Sequence, residues 1–498
     1  MTEVLIVGAG PTGLVLALWL ARLGIRIRII DKTAEPGTSS RALGVQARTL
    51  EFYRQLGFVD KIVRAGLELN AANLWVRGRK AAHIEFGGFG TIATPYQYAL
   101  IYPQDEHERF LIKRLEELGV HVERQTELID LEQFDDRVVA HLQGSTTEAA
   151  FVAGCDGARS TVREKLGISF GGGTYEHLFY VADVEAGGPQ VDRQIHVSVD
   201  TSDFTAVFPL KDEERVRLIG TIRPEAEKES EKELGWDDVS KGLLQRLRID
   251  VRRVNWFSTY HVHHRVASRF RESRIFLLGD AAHIHSPVGG QGMNTGIGDA
   301  INLAWKLAAV LRERAPIGLV DSYEPERIGF ARRLVATTDR VFQFVTRSGR
   351  LAAVVRVHIA PRVIGAAFRL PSVRRFMFRT VSQTTINYRE SALSEGRAGS
   401  VHGGDRLPWI GSEPDNFTSL QSLEWQVHVY GTATRKLAAT CASRGLQLQV
   451  FPWSESAKRA GFARDASYLV RPDGHVALAD PLQSPARLEQ YRDRHGMT

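Results

Sequence analysis

The stretch that decides the fold is Val4-Leu5-Ile6-Val7-Gly8-Ala9-Gly10-Pro11-Thr12-Gly13. Its four leading apolar residues read as a short strand buried on both faces. The turn opens residues 11–23, where Leu14, Leu16, Ala17, Leu20 and Leu23 recur at helical spacing. Residues 25–30 read as a second strand that ends at Asp31. Strand, turn, helix and strand in this order imply a parallel sheet of the Rossmann type. Gly8 permits the tight turn, Gly10 lets the backbone approach a pyrophosphate, and Gly13 lets helix and strand pack closely. Pro11 and Thr12 open the helix, whose free N–H groups and dipole favour an anion. Asp31, followed by Lys32, is placed to accept hydrogen bonds from the ribose hydroxyls of an adenosine. An acid here argues against a 2′-phosphate at this position. The pattern points to a bound dinucleotide and does not separate NAD from FAD. A tight turn with no ligand is the plain alternative.

The same apolar run could be misread as a signal peptide or a membrane span. Glu3 precedes it where a signal peptide carries positive charge, and Gly8, Gly10, Pro11, Gly13 and Gly24 break it into two elements. No other uninterrupted apolar stretch reaches spanning length. The chain has 498 residues, 43% hydrophobic and 24% charged, which fits ordinary globular usage and excludes a disordered tail or a fibre. Its length suggests about three domains. A net charge of +6 is too mild for a nucleic-acid binder. Cys155 and Cys441 are the two cysteines, too few for a disulfide framework or a four-thiolate metal site, and they fit a reducing cytoplasm.

Outward from the turn, residues 49–56 and 106–118 look helical, and residues 120–123 and 138–142 look like strands. Residues 195–199, 205–209 and 216–222 read as strands between polar turns, so the middle of the chain is β-rich. Residues 275–278 read as another short buried strand, followed by a glycine-rich loop and a helix from about 295 to 312. Residues 332–379 hold eleven arginines and one acid, Asp339, and read as amphipathic helices whose solvated faces close the back wall of the active site, with contact to a membrane or an acidic substrate as the alternative. Residues 394–405 are polar and glycine-rich, as a linker would be. Beyond them lies a small α/β unit, with strands at 425–430 and 447–451 and a hairpin around Pro472-Asp473-Gly474.

Two further motifs bear on the dinucleotide. Cys155-Asp156-Gly157-Ala158-Arg159-Ser160 is a short acid–glycine turn. Gly279-Asp280-Ala281-Ala282-His283 follows a strand and runs on through His285, Pro287, Gly289, Gly290, Gly292, Met293 and Asn294. Asp280, at a strand's carboxyl end, is placed to bind a polyol such as ribityl. The glycines free the backbone for close approach to a flat ring. The helix that follows presents its positive end to that ring, which favours a reduced, negatively charged flavin. His261, His263, His264, His283 and His285 carry no carboxylate at ligand spacing, so no metal is expected.

All three motifs, in this order, resemble those of the single-component FAD-dependent aromatic hydroxylases of the para-hydroxybenzoate and phenol hydroxylase type, the class A flavoprotein monooxygenases. The likeness extends through Arg41-Ala42-Leu43, Arg48-Thr49-Leu50-Glu51, Gln104 and the helix carrying Asp299, Asn302, Trp305 and Lys306. It covers residues 1 to about 330. The resemblance implies that Gly8, Gly10, Gly13 and Asp31 hold the adenosine diphosphate half of FAD. It implies FAD contacts for Arg41 and Gln104, a ribityl contact for Asp280, and a link to FAD and the nicotinamide cofactor for Asp156. It implies that Pro287 and residues 289–294 face the isoalloxazine. Asp405-Arg406-Leu407-Pro408 and Val470-Arg471-Pro472-Asp473-Gly474 resemble the thioredoxin-like domain of longer members. Without a Cys-x-x-Cys pair that unit has no dithiol chemistry.

The expected architecture is an α/β Rossmann-type FAD-binding domain with an inserted β-rich substrate domain. Residues 1–175 form the first part of the FAD domain, with 70–100 joining the substrate domain at 176–270. Residues 271–395 form its second part plus the helical segment, and 400–498 the thioredoxin-like domain. The implied reaction uses NADPH or NADH and O2, through a C4a-hydroperoxyflavin, to hydroxylate a phenolic ring. The protein's task is to bind FAD, admit the nicotinamide transiently and exclude water. Tyr180, Asp183, Phe208 and Leu218 are the expected pocket residues. His285 is the candidate base for phenol deprotonation because an ordinary imidazole titrates near neutrality, and Pro287 the second candidate at the reacting centre. A small aromatic compound is the expected partner, with no nucleic acid and no membrane span, and a homodimer stays open. A flavin reductase or dehydrogenase, a Baeyer–Villiger oxygenase and an FAD-retaining binding protein are the competing readings.

Overall fold

The computed structural model describes residues 2–37, 42–85, 94–200, 204–222, 234–239, 241–286, 290–346, 363, 366–411 and 413–496. Arg41, Pro287 and Gly289 lie outside these residues. Thr2–Val7 forms the centre of an eight-stranded sheet. It pairs in parallel with Ile27–Ile30 on one side and Ser145–Gly154 on the other. Ile275–Leu277 extends the parallel set beyond Ser145–Gly154. Such strands are covered on both faces, which explains their continuous apolar runs. The Pro11–Arg22 helix lies over this sheet and packs on the 20-residue helix Gly292–Leu311. Trp19, Leu20, Ile297, Ile301 and Leu303 are fully buried in the core they share. The long helix starts at Gly292 rather than near 295, so its first turn belongs to the glycine loop.

A second eight-stranded sheet carries the middle of the chain. Its spine is two 18-residue strands, Phe170–Gly187 and Asp250–Ala267, paired antiparallel. Arg215–Thr221, Phe204–Pro209 and Ile195–Val199 follow in order, and Ala71–Val76 with Arg79–Glu85 complete it. The sheet thus takes up its first residue of this stretch at Phe170, ahead of the expected start at 176. One face is sealed by a cluster that includes Tyr180, Val184, Val207, Leu218 and Leu244.

The third sheet has six strands in the C-terminal unit. Gln426–Tyr430 and Gln447–Phe451 pair in parallel across the Arg435–Ser443 helix, and Ser467–Val470 with Val476–Asp480 forms the antiparallel hairpin. The linker expected at 394–405 is a correction. Glu395–Ala398 and Val401–His402 are strands of this sheet, and the unit therefore begins before 400. The glycines that suggested flexibility serve close packing instead: a Cβ on Gly404, at φ +89°, would stand 2.4 Å from Arg389 N. The arginine-rich stretch contributes the Tyr323–Thr346 and Pro371–Val381 helices. Among the described residues no helix is long and apolar enough to cross a membrane.

Candidate functional site

The glycine turn is built as its spacing requires. Gly8 has φ +103°, and a Cβ there would lie 2.4 Å from Cys155 O; a Cβ on Gly13 would lie 2.0 Å from Gly8 O. Gly10 differs, because a Cβ there would meet nothing within 4 Å. Its missing side chain is therefore not explained by the protein's own packing. Gly10, Pro11 and Thr12 instead line a cavity of about 770 Å³ between the first sheet and the second. The Asp31 carboxylate stands at this turn, accepting from Ala9 N–H at 2.7 Å and from Thr33 N–H at 2.8 Å. Exposed Lys32 follows it.

The other motifs meet the same space. Gln104, Gly157, Asp280 and His285 line it, as do Gly290, Gly292 and Met293. Gly157, at φ +79°, also leaves open space where a Cβ would be. The neighbouring Asp156 accepts from Val162 N–H at 3.0 Å, while its Oδ1 is buried without a hydrogen-bond partner. Burial raises its carboxyl above the usual range. Asn294 is not among the lining residues and ties the glycine loop down. Its Oδ1 accepts from Gln46 N–H at 2.9 Å and from Thr49 Oγ1 at 2.7 Å, and its Nδ2 donates to Gly44 O and Gly290 O. Gly279, at φ +59°, donates its N–H to Asp299 Oδ2 at 3.0 Å. The same oxygen holds His283 Nε2 at 2.7 Å, so this histidine orients the loop.

His285 Nδ1 bonds to Ser286 O at 2.7 Å, and its Nε2 has no hydrogen-bond partner. Burial pushes its pKa down to about 4. The sequence reading assigned it an ordinary titration near neutrality; the folded imidazole is instead neutral there, with a carbonyl holding one nitrogen. The other nitrogen is left as the acceptor.

Of the four expected substrate residues, Phe208 lines the cavity. Tyr180 and Leu218 are corrections, since both belong to the cluster on the opposite face of the sheet. Asp183 is also outside the wall. Its two carboxylate oxygens accept from Arg217 Nε at 2.6 Å and Nη2 at 2.7 Å. The residues that share the cavity with Phe208 are Ala72, Ile84, Ile195, Val197 and Ile219. They form two cross-strand rows, Ile84–Ala72–Ile195 and Val197–Ala206–Ile219, on one face. A side-chain period of two puts Ile219 on that face and Leu218 on the other. The strands are apolar on both faces, so their alternation could not show which face was which. The third wall, Phe368, Arg374, Met377 and Phe378, comes from the arginine-rich segment, which the sequence reading places at the back of the site without naming residues. Arg374 Nη1 stands 3.7 Å from Glu85 Oε2, and its Nε has no hydrogen-bond partner.

An open cradle at Gly10 and Gly157, a helix beginning at the loop, and acids at Asp31, Asp156 and Asp280 fit a dinucleotide that ends in a flat ring. Comparison with known proteins agrees. Residues 1–338 match the family described as FAD binding domain. The chain is 34% identical to 6-methylpretetramide 4-monooxygenase of Streptomyces rimosus over 81% of its own length and 73% of that protein. It is 31% identical to rifampicin monooxygenase of Rhodococcus hoagii over 97% and 96% of the two chains. Its fold superimposes on the anhydrotetracycline hydroxylase of Streptomyces rimosus with a TM-score of 0.78, at 27% identity and 98% coverage of both chains. The likeness reaches past the glycine turn into the substrate-facing sheet and the C-terminal unit, and the chain belongs to the family of FAD-dependent monooxygenases that includes the aromatic hydroxylases.

Proposed function

We propose that this protein hydroxylates a large, electron-rich aromatic substrate, with a nicotinamide dinucleotide as a transient reductant. The observation that carries the reading is the shared cavity. The glycine turn, the 279–293 loop and the apolar face of the second sheet enclose one space. The named substrates of its relatives, 6-methylpretetramide, anhydrotetracycline and rifampicin, support a large ring system.

Gly10, Pro11 and Thr12 would take the pyrophosphate on the helix N-terminus, Asp31 the adenosine ribose, and Asp280 the ribityl chain. Gly290, Gly292 and Met293 would lie against the flavin ring, with the positive end of the Gly292–Leu311 helix at the same place. When bound and reduced, FAD supplies the chemistry that activates O2. The chain's own residues set up the rest. Ile84, Ile195, Val197, Phe208 and Ile219 hold the aromatic ring and keep water away. His285 Nε2 would accept a hydrogen bond from a phenolic hydroxyl, which draws electron density onto the ring to be attacked. Arg374 is placed to hold an anionic oxygen of the substrate.

The strand order of the C-terminal unit, with one parallel βαβ pair followed by an antiparallel hairpin, supports a thioredoxin-like unit. Its single thiol, Cys441, is buried, which supports a structural role. The two unpaired thiols support a reducing, cytoplasmic setting.

The test is turnover of a panel of phenols, quinones and polycyclic aromatics with NADPH or NADH and isotopically labelled O2. Substrate-stimulated oxidation of the nicotinamide with one labelled oxygen in the product is expected. A product without label would leave a reductase or dehydrogenase, and a ring-expanded ester a Baeyer–Villiger reaction.

A further inference from the structure

A second cavity, of about 600 Å³, lies between the first sheet's helices and the C-terminal unit. It shares no lining residue with the flavin cavity. Pro11 and Thr12 line the first, whereas Arg22, the last residue of the same helix, lines the second. At a rise of about 1.5 Å per residue, that helix alone separates them by roughly 15 Å. A group bound here therefore cannot exchange hydride with a flavin in the first cavity.

Its wall is cationic. Arg22, Arg312, Arg314, Arg444 and Arg492 line it, against one carboxylate, Glu424. Three of these cations have partners. Arg312 donates to the carbonyls of Leu23 and Gly24, Arg314 pairs with Glu424 at 3.2 Å, and Arg444 pairs with Glu489 at 3.1 Å. Arg22 and Arg492 have no carboxylate partner among the described residues. Arg22 is exposed, but Arg492 is only 8% exposed. Its one hydrogen bond is a long one, 3.4 Å, to Arg444 O. Burial, and then the cation of Arg444, lower its pKa, and the nearby carboxylates of Asp493 and Glu489 offset them only in part. A buried cation with no ion pair of its own is costly unless something else supplies the charge.

A second donor waits in the same wall. Trp305 is 2% exposed, and its indole Nε1 is buried with no hydrogen-bond partner. Trp425 stands against it edge-on, with ring centroids 5.5 Å apart. The site thus offers unmatched donors and positive charge, next to a flat apolar surface.

We propose that this cavity is a second ligand site, separate from the flavin site, that binds a small polyanion carrying phosphate groups. Guanidinium groups meet phosphate oxygens with paired N–H donors, and Arg492 would lose its uncompensated burial on binding. A nucleoside diphosphate and free pyrophosphate share this chemistry, and the half-buried ring of Trp425 favours the nucleotide through stacking.

The experiment is calorimetric titration of the FAD-loaded protein with ADP and, separately, with inorganic pyrophosphate. FAD fills the first cavity, and binding that the Arg22 and Arg492 variants weaken reports the second cavity, whereas binding at the nicotinamide site would be left unchanged by them. One-site binding that weakens with added salt is expected. Tighter binding of ADP identifies the nucleotide as the source, and equal affinities identify the phosphates alone. Arg492→Gln should weaken either probe by at least about tenfold, equal to ~1.4 kcal/mol, with unchanged flavin content. Arg492 is buried and its variant could fail to fold, so Arg22→Gln, at an exposed position, is measured beside it and should also weaken binding. No saturable binding of either probe, or binding that both variants leave unchanged, would overturn the site. Turnover of the aromatic panel is measured independently, so failure here leaves the hydroxylase reading standing.

Discussion

Arg471 of the C-terminal unit grips Glu326 of the Tyr323–Thr346 helix with two nitrogens, Nη1 to Oε1 at 2.7 Å and Nη2 to Oε2 at 3.0 Å. Both side chains are fully buried. Lys306 of the long helix joins at 2.8 Å from Oε2, and Asp473 holds Arg471 from the other side at 2.6 Å. Burial would raise the Glu326 carboxyl, but Arg471 and Lys306 hold it below the usual range. The next residue, Arg327, places Nε 2.5 Å from Asp299 Oδ1 and Nη1 2.9 Å from Tyr388 Oη. Asp299 in turn orients Gly279 and His283 at the flavin cavity. Two charged clusters, held together by the adjacent residues Glu326 and Arg327, therefore join the C-terminal unit to the loop that carries Asp280.

Removing one partner should be severe. Arg471→Met leaves Glu326 and Asp473 buried with less compensation, and the expected loss of stability is about 3–5 kcal/mol. Arg471→Lys keeps a cation beside both carboxylates and should lose less. Denaturant midpoints of the two variants measure both effects. An Arg471→Met variant as stable as the parent would refute the coupling.

Asp299→Asn tests the loop end of the same network. An amide cannot match three donors at once, so Arg327 stays buried without its anion. The variant should lose stability and purify with less FAD, read from the ratio of flavin to protein absorbance. Full FAD content together with an unchanged midpoint would mean that Asp299 does not position the loop.

The three glycines of the turn should separate folding from cofactor binding. Gly8→Ala and Gly13→Ala each drive a Cβ into backbone, at 2.4 Å and 2.0 Å, so both should fold poorly. Gly10→Ala meets nothing, and the apoprotein should keep its denaturation midpoint while FAD affinity falls. If Gly10→Ala binds FAD as the parent does, the pyrophosphate does not pass over this turn.

His285→Ala should lower kcat for a phenol by on the order of tenfold if its Nε2 accepts a hydrogen bond from the substrate hydroxyl. With a folded pKa of about 4, the imidazole stays neutral from pH 5 upward. The loss should then be the same across pH 5–8, in contrast to the low-pH effect expected of an ordinary histidine. Rates of parent and variant across that range decide it, and an unchanged kcat removes the role.

Acid should destabilise the fold before the carboxylates titrate. Burial lowers His107 and His428 to about 3, and His285 and His475 to about 4. Each is neutral when folded and takes up a proton on unfolding below its ordinary 6.5. The unfolded state thus binds more protons, and stability falls as pH drops from about 6.5 toward 4. Each histidine adds a slope of up to about 1.4 kcal/mol per pH unit. His107→Gln, which can still meet Tyr53 Oη, should flatten the slope by one such share. Equal midpoints at pH 7 and pH 5 would contradict this account.

The nucleotide turn was legible in the chain because its determinants are local. Gly8, Gly13 and Pro11 answer to backbone sterics within a few residues, and the short apolar strands around them have few other uses. Hairpin signals such as Pro472-Asp473-Gly474 are local for the same reason. The face of the second sheet that lines the cavity was not legible. Tyr180 and Phe208 are equally apolar in sequence, and which one reaches the cavity depends on what packs behind each strand. The sequence reading puts the arginine-rich segment behind the site, but spacing could not show that Phe368, Met377 and Phe378 are the residues that close it, or that Arg471 holds Glu326 from 145 positions away. Short-range stereochemistry is written residue by residue. Burial, the pKa of His285 and the pairing of distant charges arise when three sheets meet, because each depends on the neighbours that the fold supplies.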